Sequence, residues 1–523
     1  MGKNIIICSD GTGNSSIKDR GTNVFKIYEA LDLHHPTTIQ IAIYDDGVGT
    51  ETFRPFQLLG GAFGFGLWRN IRQLYTGLVQ VYEPGDRIYL FGFSRGAFTV
   101  RQLAGLILKM GIIAKGRYTS TSELNRLVRQ AQREYWQDNR AWLEWLIMKV
   151  FSWFTPCEGV EKFRNQYATK VPDRNSVNQY QADIRFIGVW DTVSAVGFPV
   201  LYVADMFNTA VYRFKFPDYK LGKAVSAAAH ALSIDDQRAT FHPLLWDECD
   251  EVREKPRIEQ TWFAGVHANV GGGYPKQGVS LVALDWMMRK AEAAGARLDG
   301  EAGIKFLEKD KAFYREHMNV NDKVYDSRSG LSAYYRYKPR DIYRKCQQKN
   351  FEPRIHATVI NRIYQGTDGY APGNIPREFT LVDGDSIGYR FEDASCIVTT
   401  ALQDDTSLLS RTRGLILARK VGGLILISST VVIVAYLIPG ELFGHGLRNF
   451  FVSLYHMITD IMLLRQGAET GDMLQALKRI PLWVYLVPLG GYLLSRFSRG
   501  SMRKIFSEFW CALLQKPSSP GNE

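Results

Sequence analysis

Gly92-Phe93-Ser94-Arg95-Gly96 sets a serine between two glycines at the end of the apolar run DRIYLFGF (86–93). The G-x-S-x-G pattern alone is weak. Its surroundings strengthen it, because AFTVRQLAGLILKMG (97–111) reads as a helix directly after it. Strand, sharp turn, helix is the nucleophile elbow, whose turn leaves no room for side chains beside the serine. Such a turn exposes the Ser94 hydroxyl at a helix N-terminus and aims the Arg95 N–H at a developing oxyanion. A serine nucleophile needs a base and an orienting carboxylate. In hydrolases with this elbow the chain order is serine, acid, histidine. Of nine histidines, His34 and His35 precede Ser94, and His445 and His456 lie among C-terminal apolar runs. His230, His242, His317 and His356 fall where the pattern reads as helix or loop. His267 follows the run IEQTWFAGV (258–266) and opens HANVGGGY, whose glycines allow close backbone approach. Asp191 ends the run IRFIGVW (184–190), placed to fix the imidazole tautomer through Nδ1, or else to cap a helix. A second oxyanion donor is expected from the loop after another early strand. SDGTGN (9–14) offers the Gly11 N–H there, with Asp10 as supporting acid or helix cap. GTGNSS lacks the later glycine and lysine of a phosphate loop.

These groups need a frame. NIIIC (4–8), TIQIAIY (38–44) and the three runs above read as strands, separated by helical stretches. Near-continuous apolar strands of this kind predict an α/β fold with a mostly parallel sheet covered on both faces. Reactive groups then collect beyond the carboxyl ends of strands, which here carry Asp10, Asp45, Asp46, Ser94, Asp191 and His267. No internal repeat is visible. Residues 113–180 break the strand rhythm and read as a helical cap insertion over the sheet. Trp142, Trp145, Phe151, Trp153 and Phe154 in it form either cap core or a lipid-facing surface.

The chain has 523 residues, a formal charge of +11 and 46% hydrophobic residues, so it is neither disordered nor short of core. Six cysteines with no CxxC pair exclude a disulfide scaffold, argue against a zinc ribbon and read as buried thiols in a reducing compartment. The N-terminus has no signal-peptide pattern and reads as cytosolic. Residues 412–523 differ from the catalytic body at 1–400. Residues 421–440 carry no charge, and 480–495 form a shorter apolar run with Pro488 and two glycines. Both are expected to be transmembrane helices. Arg411, Arg413, Arg419 and Lys420 precede the first, while Arg496, Arg499, Arg503 and Lys504 follow the second. Between them FFVSLYHMITDIMLL (450–464) reads as interfacial. Basic outer flanks predict a hairpin with both ends in the cytoplasm, which accounts for the charge without nucleic acid.

Taken together, these blocks resemble the α/β-hydrolase domain of the type VI secretion lipase effectors, the Tle1-like phospholipases. The resemblance rests on SDGTGN, YDDGVGT (44–50), GGAFGFGL (60–67), PGDRIYLFGFSRGAFTVR (84–101) and GVWDTVSAVG (188–197). It continues through ALSIDDQRATFHPLLW (231–246), WFAGVHANVGGGY (262–274), SLVALDWMMRKAEAAG (280–295) and IHATVINRI (355–363). It implies that Ser94, Asp191 and His267 form the triad, the same three residues. The family usually has Asp two places after the histidine. This chain has Asn269, a further candidate for site support.

The leading expectation is a membrane-associated serine esterase, a phospholipase, using no cofactor. Ser94 would attack the acyl carbonyl, His267 act as base, Asp191 orient it, and Arg95 and Gly11 hold the oxyanion. Its partners would be a phospholipid or other lipid ester, a membrane, and an inhibitor or secretion apparatus; its setting would be the cytoplasmic membrane face before any delivery as a secreted effector. Two alternatives stand beside it. One is a metal-dependent phosphoesterase built on Asp10, Asp45, Asp46, Asp191 and His267. The other is a non-catalytic membrane-anchored scaffold.

Overall fold

The computed structural model describes residues 2–11, 21–47, 63–138, 159–171, 179–193, 220–252, 256–299, 303–383, 407–437 and 482–515. Eight strands form one sheet: β1 (Asn4–Ser9), β2 (Gln40–Asp45), β3 (Arg87–Phe93), β4 (Asp183–Trp190), β5 (Ala228–Ser233), β6 (Ile258–Phe263), β7 (Arg354–His356) and β8 (Thr380–Val382). Their order is β2-β1-β3-β4-β5-β6-β7-β8 and every pairing is parallel. The labelled helices are α1 (Asn23–Glu29), α2 (Phe63–Val81), α3 (Arg95–Met110), α4 (Thr121–Asp138), α5 (Val160–Tyr167), α6 (His267–Gly271) and α7 (Gly278–Asp299). They continue with α8 (Glu308–Glu316), α9 (Ile342–Gln347), α10 (Ala357–Tyr364), α11 (Arg413–Leu437) and α12 (Leu482–Gln515).

The two-residue period of the strands divides the core. Ile5 and Ile7 of β1 face a cluster with α2, α3 and α4, while Ile6 and Cys8 face one with α1 and α7. Both faces are covered, so the central strands are apolar throughout. After β1 the chain goes to β2 on one side, then returns to β3 on the other. That reversal opens a crevice beyond the carboxyl ends of β1 and β3, the usual ligand position in such sheets.

All five expected strands are present, within a few residues of their expected bounds. Three more were not expected. β5 is AAHALS, alanine-rich and without the β-branched signature, and β7 and β8 have three residues each. His230 therefore lies inside a strand and His356 ends one, not in helix or loop as expected. Within the 113–180 insertion, α4 buries Leu124, Leu127, Val128 and Tyr135 in the α2–α3 cluster, so it packs on the helices flanking the sheet. Its five aromatic residues, Trp142 to Phe154, lie outside the described residues. Cys8 and Cys346 are buried as expected, but Cys249 and Cys511 are exposed.

The C-terminal region corrects a further expectation. Among the described residues no helix is long and apolar enough to cross a membrane, so transmembrane helices at 421–440 and 480–495 are not found. Residues 438–481, including 450–464, lie outside the described residues. α11 and α12 instead pack on each other as an antiparallel pair. A Cβ on Gly422 would lie 2.6 Å from the Gly491 carbonyl, and one on Gly491 would lie 2.7 Å from the Gly422 carbonyl. Three of the eight basic residues expected to flank lipid, Arg419, Arg499 and Arg503, contact the body. Buried Arg419 stacks 4.1 Å over Tyr337, and Arg499 pairs with Asp326. Arg503 donates to the Asp368 carbonyl, and Trp510 Nε1 donates to the Pro372 carbonyl at 2.9 Å.

Candidate active site

The elbow forms because β3 runs into α3 through one residue. Ser94 has φ 58° and ψ −118°, a conformation rare for a residue with a Cβ. Its glycine neighbours are required by contact. A Cβ on Gly92 would lie 2.6 Å from the Gly96 carbonyl, and one on Gly96 would lie 2.0 Å from the Ser9 carbonyl and 2.6 Å from that of Asp10. The second approach presses the elbow against the loop leaving β1. The Ser94 N–H donates to the Trp190 carbonyl at 3.0 Å, tying the turn to the end of β4.

Asp191 is the next residue on that strand. It is fully buried with φ 40°, and its N–H donates to the Ala231 carbonyl at 2.8 Å. His267 opens α6 after β6 and is buried. Its Nδ1 lies 2.6 Å from Asp191 Oδ2. An ionised carboxylate only accepts, so Nδ1 carries the proton and Nε2 is left as the basic nitrogen. The imidazole packs 4.6 Å from the ring of Phe93, the residue before Ser94, and 5.0 Å edge-on from Phe241. Burial lowers the His267 pKa, against the hydrogen bond and charge of Asp191, which raise it. At neutral pH the ring is accordingly a neutral base.

Burial alone would raise the pKa of Asp191, but it is held far below the usual carboxylate range by Arg340, with a smaller share from His267. Arg340 was not legible in the sequence. It is fully buried and grips both carboxylate oxygens, Nη1 to Oδ1 at 2.6 Å and Nη2 to Oδ2 at 2.8 Å. Ser233 adds its N–H at 3.1 Å and its hydroxyl at 3.2 Å. His230 and Asp236 were also unassigned. His230 Nε2 accepts from the Thr192 N–H at 3.1 Å, beneath the Asp191 turn. Asp236 accepts from the His267 N–H at 3.3 Å and from Arg238. Burial and nearby Arg101 push the His230 pKa down to about 3, which keeps Nε2 free to accept.

The remaining expected residues fall into place unevenly. Arg95 begins α3, so its N–H stands at a helix N-terminus beside Ser94, while burial lowers its guanidinium pKa to about 10. The Gly11 N–H donates to Asp10 Oδ1 at 2.6 Å. Asp10 Oδ2 accepts from Thr22 at 2.5 Å and Tyr44 at 2.8 Å, so Asp10 braces the β1 loop. Asp45 accepts from Ser9 at 3.0 Å and from Asn70 at 2.9 Å. These carboxylates thus turn to protein donors, and among the described residues no three His, Cys, Asp or Glu side chains gather as metal ligands. Asn269 is buried and fastens a neighbouring loop. Its Oδ1 accepts from the Val266 and Tyr325 N–H groups at 3.3 and 3.1 Å, and its Nδ2 donates to the Lys323 carbonyl at 3.1 Å. An ionised aspartate could not make that last bond.

A family model described as "T6SS, Phospholipase effector Tle1-like, catalytic domain" matches residues 3–290. The chain is 31% identical over 258 residues to a protein of Saccharomyces cerevisiae titled "Uncharacterized protein YEL023C", covering 47% of this chain and 33% of that protein. It thus spans about a third of the length of that curated relative. A crystal structure of an uncharacterized protein from Pseudomonas aeruginosa is similar at 16% identity with a TM-score of 0.31, over 71% of this chain and 55% of that one.

Proposed function

The chain belongs to the Tle1-like phospholipase effector catalytic family, and from that premise we propose that it is a serine esterase that hydrolyses the acyl esters of phospholipids. The observation that carries this reading is the 2.6 Å contact of Asp191 with His267 beside a strained serine elbow on neighbouring strand ends. Ser94 Oγ attacks the acyl carbonyl while His267 Nε2 takes its proton. The Arg95 N–H at the start of α3 receives the oxyanion; that of Gly11 must leave Asp10 to serve as a second donor. His267 then protonates the leaving alcohol and activates the water that releases the fatty acid. Asp191 holds the ring and stabilises the imidazolium. Exposed Leu486, Leu489, Leu493 and Phe497 on α12, with nearby Arg496, give this reading an apolar, basic surface for contact with lipid.

The test compares wild type with Ser94→Ala on phosphatidylethanolamine–phosphatidylglycerol vesicles, with products identified by mass spectrometry. Fatty acid release should fall by about 10⁴-fold or more in a variant that melts like wild type. Undiminished release by Ser94→Ala would sink the mechanism.

A further inference from the structure

We propose that Arg340 is a positioning residue of the active site, clamping Asp191 in the one orientation that presents Oδ2 to His267 Nδ1. This rests on the triad reading above and extends the catalytic unit beyond residue 290, where the family match ends.

All four Nη hydrogens of Arg340 have defined acceptors. Two go to the carboxylate, one to the Ser233 carbonyl at 2.6 Å and one to the Phe241 carbonyl at 2.5 Å. The guanidinium is therefore fixed to the end of β5 and the segment after it, independently of Asp191. Its own backbone is anchored too, because Asn374 Nδ2 bridges the Arg340 and Ile234 carbonyls at 3.1 and 2.8 Å. A planar fork matches a carboxylate edge-on and forbids rotation about its Cβ–Cγ bond, which a single ammonium cannot do. Rotation matters here. Asp191 stands at φ 40°, a strained backbone that needs its surroundings to define it. Ser233 alone contacts each oxygen at more than 3 Å.

The clamp also has an electrostatic consequence. A fixed cation behind the carboxylate cancels part of the field that would stabilise an imidazolium in front of it. The other ionisable groups around the pair are Asp235, Asp236, His230, His242, Lys345 and Arg238. Asp235 and Asp236 face Arg340 from the β5 side, and Lys345 faces it from α9. None of them grips Asp191 as Arg340 does.

The experiment uses the full chain with Arg340→Lys and Arg340→Met. It measures hydrolysis of a soluble p-nitrophenyl ester per site titrated by a fluorophosphonate, the pH profile of kcat/KM, and the melting midpoint. In both variants kcat per titrated site should fall by about 10²-fold with KM within about twofold of wild type. In Arg340→Met the acid limb should also move to higher pH, because removing the cation eases protonation of His267. Arg340→Lys keeps the charge and should keep the limb. A merely structural arginine would lower the melting midpoint yet leave kcat per titrated site and the acid limb unchanged; that result overturns the proposal. If Arg340→Met does not fold, Arg340→Lys decides: a kcat within about twofold of wild type overturns the clamp. Hydrolysis that survives Ser94→Ala would refute the triad reading itself. A Ser94-dependent wild type with an indifferent Arg340→Lys would refute only the clamp.

Discussion

Replacing Asp191 with asparagine should cost this protein stability as well as activity. The carboxylate takes five hydrogen bonds, from Ser233 N and Oγ, both Arg340 Nη atoms and His267 Nδ1. Asparagine offers one acceptor oxygen and one NH₂. Each carboxylate oxygen faces an Arg340 nitrogen, so either placement of the amide sets its NH₂ against a guanidinium N–H. Arg340 meanwhile stays fully buried with its counterion gone. Breaking a buried pair by removing one partner costs about 3–5 kcal/mol, because the remaining charge is uncompensated. Catalysis falls separately. With NH₂ at the Oδ2 position, Nδ1 must become an acceptor, the proton moves to Nε2, and the base is lost, a cost of about 10⁴-fold. The assay is the urea midpoint by tryptophan fluorescence for Asp191→Asn, Arg340→Met and the double variant. The double variant removes both charges and should be more stable than Asp191→Asn alone, a coupling that double-mutant analysis reads directly. An Asp191→Asn midpoint equal to wild type, or a double variant that loses the sum of the two single losses, would refute the reasoning.

Gly96→Ala puts a methyl within 2.0 Å of the Ser9 carbonyl, so the β1 loop must retreat. Overpacking of this kind costs about 1–3 kcal/mol or more, and fluorophosphonate labelling of Ser94 should slow with the lowered melting midpoint; wild-type labelling would count against it. Asn269→Asp loses the bond to the Lys323 carbonyl and buries a charge there. It should destabilise by about 1–3 kcal/mol, and a raised melting midpoint would contradict that role for Asn269. Acid should weaken the fold early. Burial lowers the pKa values of His230, His242, His267 and His356, so these rings fold neutral. A histidine whose folded pKa is depressed gives its full stability above the unfolded value, about 6.5, and loses it as pH falls toward the folded one. Asp235, raised to about 6 by burial, works in the opposite sense, as do Asp45 and Glu29, which burial also raises, but these are three groups against four. The urea midpoint should therefore drop between about pH 7.5 and 5, and a flat profile would show these histidines to be unburied or already paired as cations.

The ends of the early strands were readable because a parallel sheet covered on both faces must be made of uninterrupted apolar runs. Whatever polar residue stops such a run stands at the sheet's carboxyl edge. That logic nominates Ser94, Asp191 and His267 without any long-range information, and the glycines of the elbow mark where side chains could not fit. It missed β5 because alanine carries no strand signature, and with it the position of His230. It missed β7 and β8 because three residues show no period.

Other features had no local signature at all. A buried arginine looks in sequence like an exposed one, and Arg340 sits in the basic, aromatic stretch YYRYKPRDIYRK (334–345) as one cation among several. Only the fold brings it 149 positions back to Asp191. The C-terminal runs were ambiguous for a related reason. An uncharged run looks the same whether it faces lipid or another helix, and flanking arginines look the same whether they face water or a ring. The Gly422–Gly491 approach and the stacking of Arg419 on Tyr337 assign α11 and α12 to each other and to the body. Local pattern was enough to nominate the groups that could react and to set them at strand ends, because both follow from short-range periodicity. What holds them in position emerges only on folding, because a charge deep in a protein is defined by the partners gathered around it.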